Sequence, residues 1–295
     1  MQNSKVQEIL TAHGLDFQIE KHQFIHNEIP TGYYGLFNSK TNECINVVKE
    51  GYTVSQNEEV IELVLGGITP FGDTLKVSKA GSIHGGRKVF VQLEIEGEGI
   101  VGNDTIKRYV TVIDSNDGST ALSVGVGDLT MSCQNQFWKF YKAGEAKFRH
   151  TATLTDKIKR IPFLIETALS ESMKQIDLYK NFVSTDVSKA LAHKMVKHVL
   201  GYDREFTSMD VLSSKSTRAI NIMDKLYANI NREIADKGQN MWGLHSGVTR
   251  FTTHEMAAPK RTNGRIESGM LGNGYKANQK SLQFAMTNSG ILIPA

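Results

Sequence analysis

The stretch GSIHGGRKVFVQLEI, residues 81–95, decides how the first half of this chain is read. Gly81, Gly86 and Lys88 come within one residue of the G-x-x-x-x-G-K-[ST] phosphate loop. Such a loop needs a helix after its glycines, so that free backbone N–H groups face the phosphates. Here Val89, Val91, Leu93 and Ile95 alternate instead with Phe90, Gln92 and Glu94, the period of a strand. Val89 also stands where a magnesium-holding Ser or Thr belongs. Nucleotide binding by this loop is therefore rejected. The glycines predict a hairpin connection, with His84, Arg87 and Lys88 aimed outwards at its tip beside a bare backbone.

Reading outward, Tyr109–Ile113 is rich in strand formers, and Leu122, Val124 and Val126 alternate with Ser123, Gly125 and Gly127. The turn formers of DSNDGS (114–119) separate them. Upstream, residues 6–12 suit a short helix, 15–19 a strand, and 32–48 two strands around a polar turn at 38–42. Residues 56–65 open with acidic side chains and close before Gly66-Gly67, as a helix does. Beyond residue 135 the pattern turns helical, over 163–179, 191–200, 216–234 and 241–256. Strands first and helices afterwards predict an α+β fold. An antiparallel meander over about residues 30–133 precedes a helical half. The expected units are a mixed core over 1–150, a helical region over 151–258 and a mobile, aperiodic tail over 259–295.

Composition excludes several classes. The 295 residues contain no apolar run long enough for a membrane helix, and the N-terminus does not read as a signal peptide. The chain is expected to stay in the cytoplasm where it is made. Cys44 and Cys133 make neither a disulfide framework nor a zinc knuckle. No cofactor motif is found. The net charge is only +3, yet residues 134–160 hold seven basic side chains against Glu145 and Asp156. Within them, CQNQFWKFYKAGEAKFRHT (133–151) interleaves aromatic and basic residues in what reads as an amphipathic helix.

That mixture is the chemistry of a single-stranded nucleic-acid site: cations follow the backbone, and aromatic faces stack on bases for roughly 1–3 kcal/mol each. The candidate set is His84, Arg87, Lys88, Gln134, Asn135, Trp138, Lys139, Tyr141, Lys142, Lys147, Arg149 and His150. The same residues would equally suit an apolar core with a wet basic face. DSNDGS misses the EF-hand spacing by one position. Asp114, Asp117 and His150 support a second reading, a metal-dependent enzyme acting on nucleic acid or nucleotides.

The motifs YTVSQNEEV, AGSIHGGRKVFVQLEI, DSNDGSTAL, SCQNQF and KFRHT, followed by MWGLHSGVTRFTTHE, occur in this order. Over about residues 45–257 the chain resembles a family of phage- and plasmid-encoded proteins whose function is unassigned. The resemblance implies a bacterial host and a role near replication, recombination or counter-defence. By analogy of fold the chain also looks like the core of phage single-strand annealing recombinases, which form rings or filaments with DNA in a basic groove between a hairpin and a helix. Carried over, the hairpin is Gly81–Arg87 with Lys88, and the helix begins at Gln134. The expectation is a non-enzymatic, homo-oligomeric, single-stranded-DNA-binding protein. The alternatives are the metal-dependent enzyme and a phage protein that binds a host protein.

Overall fold

The computed structural model describes residues 2–140, 147, 148, 150, 159–202 and 216–291. Helix α1 (Gln2–Ala12) leads into an antiparallel sheet of β1 (Ile19–His26), β2 (Ile29–Asn38) and β3 (Cys44–Lys49), in that order. Helix α2 (Asn57–Ile68) and a 3-10 turn (Thr69–Thr74) follow. They split the expected meander into two sheets. The larger sheet runs β4 (Leu75–Ile83), β5 (Lys88–Val101), β6 (Asp104–Ser115), β7 (Leu122–Thr130) and β8 (Asn135–Phe140). The short β9 (Lys147–Phe148) pairs with the start of β7.

The register assigns each side chain to a face. Val91 opposes Val112, which opposes Val124; Leu93 opposes Val110, which opposes Val126. These residues share a core with α1, α2, the smaller sheet and the start of α3 (Ile161–Val183). Phe90 opposes Ile113, and Trp138 opposes Gly127, so these rings lie on the other face. There they meet Met270. Burying each such side chain contributes about 1.5–3 kcal/mol.

Pro162 sits in the first turn of α3, where its missing N–H costs nothing. Helices α4 (Lys189–Leu200), α5 (Thr217–Lys237) and α6 (Met241–Arg250) follow. Ser188, Ser216 and Asn240 cap them by accepting from the N–H groups of Leu191, Ala219 and Gly243. Gly247 lets α6 lie against α5, because a Cβ there would stand 2.4 Å from Ile230 Cα. Helix α6 runs into a π-helical turn (Phe251–Glu255). The segment expected to be an aperiodic tail instead forms α7 (Gly264–Met270) and α8 (Asn273–Asn288). The first packs on the sheet, and the second on both the sheet edge and the helical core. Gln279 donates to the Trp138 carbonyl at 2.7 Å, and the Asn263 amide donates to the Ser82 carbonyl at 2.8 Å. The fold is α+β.

Asp104, at the β5–β6 turn, joins the sheet to the helices. Its carboxylate accepts from Trp242 Nε1, Lys237 Nζ and Ser132 Oγ, each at 2.7 Å. Lys237 is buried there beside Glu233. Removing one partner of a buried ion pair strands the other, at a cost of about 3–5 kcal/mol. Asp104→Ala is therefore expected to lower the denaturant midpoint by that equivalent. A variant with wild-type stability would contradict this assignment.

Candidate functional site

The hairpin expected at residues 81–88 is present. Ile83 pairs with Lys88, and His84, Gly85 and Gly86 turn the chain with positive φ. Gly86 is required twice over: its φ is 89°, and a Cβ would meet the Phe17 ring at 2.8 Å. The tip thus presses on the smaller sheet. His84 is exposed, and Arg87 is half-buried with Nη2 donating to the Cys44 carbonyl at 3.3 Å. Lys88 does not point outwards. It is 7% exposed and pairs with Asp117 at 2.6 Å, because as the first residue of β5 it belongs to a covered face.

The stretch from Gln134 is strand β8, not a helix. Successive strand residues face opposite ways, which breaks up the expected aromatic and basic set. Phe137 enters the helical core, and Trp138 enters the opposite core at 5% exposure. Trp138 therefore offers no exposed face for stacking. Lys139 lies on the Phe137 side and is half-buried; its charge acts on Asp128. Asn135 is buried and donates to the Ser246 carbonyl at 3.3 Å. Gln134 is exposed at the turn and donates to the Met131 carbonyl. Lys147 is known only by its backbone pairing with Ser123. Tyr141, Lys142 and Arg149 lie outside the described residues.

What the hairpin meets instead is the segment after Pro259. His84 and Arg87 share a groove of about 660 Å³ with Ser82, Glu43, Arg261 and Thr262. Burial, with the positive charges of Arg261, Arg87 and Lys88, holds the His84 pKa below its ordinary value. Arg261 is clamped by two nitrogens onto Glu267, at 2.7–3.0 Å. On the other flank of α7, Lys79 and Arg265 border a second cleft with Gln134 and His254. Sequence reading missed Lys79, Arg261, Arg265 and His254. The signal for the arginines was the run KRTNGR at 260–265, set aside as tail.

Asp114, Asp117 and His150 take structural partners. Asp114 accepts from Ser55 Oγ and, at 2.8 Å, meets His150 Nε2. His150 Nδ1 faces the Thr53 carbonyl at 3.0 Å, and Tyr52 stacks on the ring at 5.1 Å. His150 is 8% exposed, so it is not a nucleic-acid contact. Asp117 is neutralised by Lys88 and bonded by Ser115. Among the described residues no group of three or more His, Cys, Asp or Glu is arranged to hold a metal ion.

Both ring nitrogens of His150 face acceptors, which favours the imidazolium. Burial opposes the charge, but the Asp114 carboxylate and the Thr53 carbonyl outweigh it, and the pKa is raised above 6.5. A raised folded-state pKa gives stability that is complete below the unfolded value and lost as pH rises through the folded one. His150→Gln should cost on the order of 3 kcal/mol at pH 6, and the gap to wild type should narrow as the pH passes the raised value. Thermal melts of both proteins between pH 5.5 and 9 measure this; a constant gap would refute it.

Among the described residues no helix is long and apolar enough to cross a membrane. No curated protein and no solved structure matches the chain. Residues 44–280 match the model of a domain of unknown function, DUF932, from the smaller sheet's last strand into α8. The match spans most of the chain, which belongs to that family.

Proposed function

We propose that this protein binds single-stranded DNA without catalysis, in annealing or replication for a phage or plasmid in a bacterial cytoplasm. The observation that carries the reading is the groove where His84 and Arg87 of the hairpin meet Arg261 and Thr262. A glycine-built tip lets a phosphodiester approach the backbone, and arginines give phosphate a planar two-donor partner. The carboxylate Glu267 holds Arg261 in place beside the groove. Trp138 is buried and takes no part in it.

A site this small binds weakly alone, so the reading includes a homo-oligomer. The β1–β3 sheet supports it, because Phe24, Ile25, Ile29, Tyr33 and Val47 are all exposed there. Apolar patches of that kind mark association surfaces. The enzyme reading draws less support, since Asp114 and Asp117 are already satisfied by Ser55, His150 and Lys88.

The test is fluorescence anisotropy of a labelled oligonucleotide over a salt series. Log affinity should fall linearly with log salt. Arg87→Ala should weaken binding several-fold and reduce the slope by about one. A nearby phosphate offsets the burial and the neighbouring positive charges that disfavour the His84 cation, so binding takes up a proton. Affinity should then be several-fold higher at pH 5.5 than at pH 7.5, and His84→Gln should abolish that difference. Absence of binding at low salt, or a flat salt response, would reject the reading.

A further inference from the structure

We propose that the cleft between β8, the π-helical turn and α7 is a binding site for a mononucleotide. Its size is about 370 Å³, within the range of small-ligand sites. Among the described residues that line it none is acidic, while Lys79, His254 and Arg265 are basic. The nearby carboxylates are turned elsewhere: Glu255 accepts from Asn229, and Glu267 is held by Arg261. An anion entering the cleft meets cations and neutral donors only.

The walls are preorganised. Arg265 donates through Nη1 to the carbonyls of Thr253 and Met256, at 3.2 and 3.1 Å. Those carbonyls belong to the π-helical turn and its end, so the guanidinium is fixed with its other donors still to place. The π-helical turn itself is a second, independent observation. Such turns are rare overall but frequent at functional sites. This one delivers Thr252, Thr253 and His254 in succession to the cleft. The Thr253 hydroxyl accepts from the Gln136 N–H at 3.1 Å, which ties the turn to the strand opposite.

The ligand class follows from the mixture. Lys79 and Arg265 suit a phosphate monoester, as a point charge and a planar fork. Gln134 and Gln136 offer amides that both donate and accept, matching the edge of a base. Ile266 adds apolar surface to the lining. The charge and the amides share one cleft, so a phosphate joined to a base fits better than either alone. The site goes beyond the proposed DNA groove and would persist were that groove to bind nothing.

The experiment is isothermal titration of the full chain with adenosine 5′-monophosphate, with adenosine, and with inorganic phosphate. The nucleotide should bind at least tenfold more tightly than either fragment. Lys79→Ala should weaken it about tenfold. Lys79 is exposed on β4, so that variant should keep the wild-type circular dichroism. Arg265→Gln should weaken it similarly, whereas Arg87→Ala, in the DNA groove, should leave it unchanged. No heat with the nucleotide overturns the proposal. So does nucleotide binding that Lys79→Ala leaves intact, or phosphate binding as tight as that of the nucleotide. Weakened oligonucleotide binding in Arg87→Ala with nucleotide binding retained separates this site from the DNA groove.

Discussion

A sheet with apolar side chains on both faces has to be covered twice, and that constraint organises the whole chain. The pleat sends successive residues to opposite sides. On one side Val89, Val91, Leu93 and their cross-strand partners take their cover from α1, α2 and α3. On the other, Phe90, Ile113 and Trp138 take theirs from Met270, almost two hundred residues after the first strand pair begins. The second layer is not complete until the last helices dock. Residues 264–288 are thus part of the core and not an appendage.

The same constraint decides where charge can go. A lysine on a strand of this sheet either finds a partner, as Lys88 finds Asp117, or lies at an end or edge, as Lys79 does. Desolvating an unpaired cation costs far more than any one contact returns. Cations available to a ligand are therefore confined to the rim, where hairpin turns and helix ends meet. The His84–Arg87 tip and the run from Arg261 to Arg265 are such places.

This is also why the sequence was legible in some places and not in others. Residues 89–95 alternate because one strand face is apolar and the other is partly polar, so the hairpin followed directly. The helices over 191–200, 216–234 and 241–256 were legible by their apolar period, and Ser188, Ser216 and Asn240 cap them in the structure. Strand β8 gave no such signal. Phe137 and Trp138 fill opposite cores, and lysine follows at once, so the period of two is lost and an amphipathic helix is imitated. The tail misled for a related reason. Gly269 is needed because a Cβ would stand 2.4 Å from the Trp138 ring, and Gly264 because one would stand 2.0 Å from the Pro259 carbonyl. Glycines demanded by close packing lower helix propensity and resemble a flexible segment. His84 and Arg87 were legible, since a turn is local. Their partners were not, since the approach of residue 261 to residue 87 is set by the whole second layer.

One edge of the sheet shows how closely packing and site are joined. Strand β8 has no further strand beyond residues 135–140 among the described residues, and a bare edge invites pairing with another chain. Here side chains occupy it: Thr253 receives the Gln136 N–H, and Gln279 donates to the Trp138 carbonyl. The edge is closed by the π-helical turn and α8, the former being also a wall of the cleft. An incoming chain cannot extend the sheet there without displacing both. The cleft on this side is lined by side chains, Lys79, Arg265 and the two glutamines among them. Protecting the edge and shaping an anion-accepting cleft are, in this fold, a single structural act.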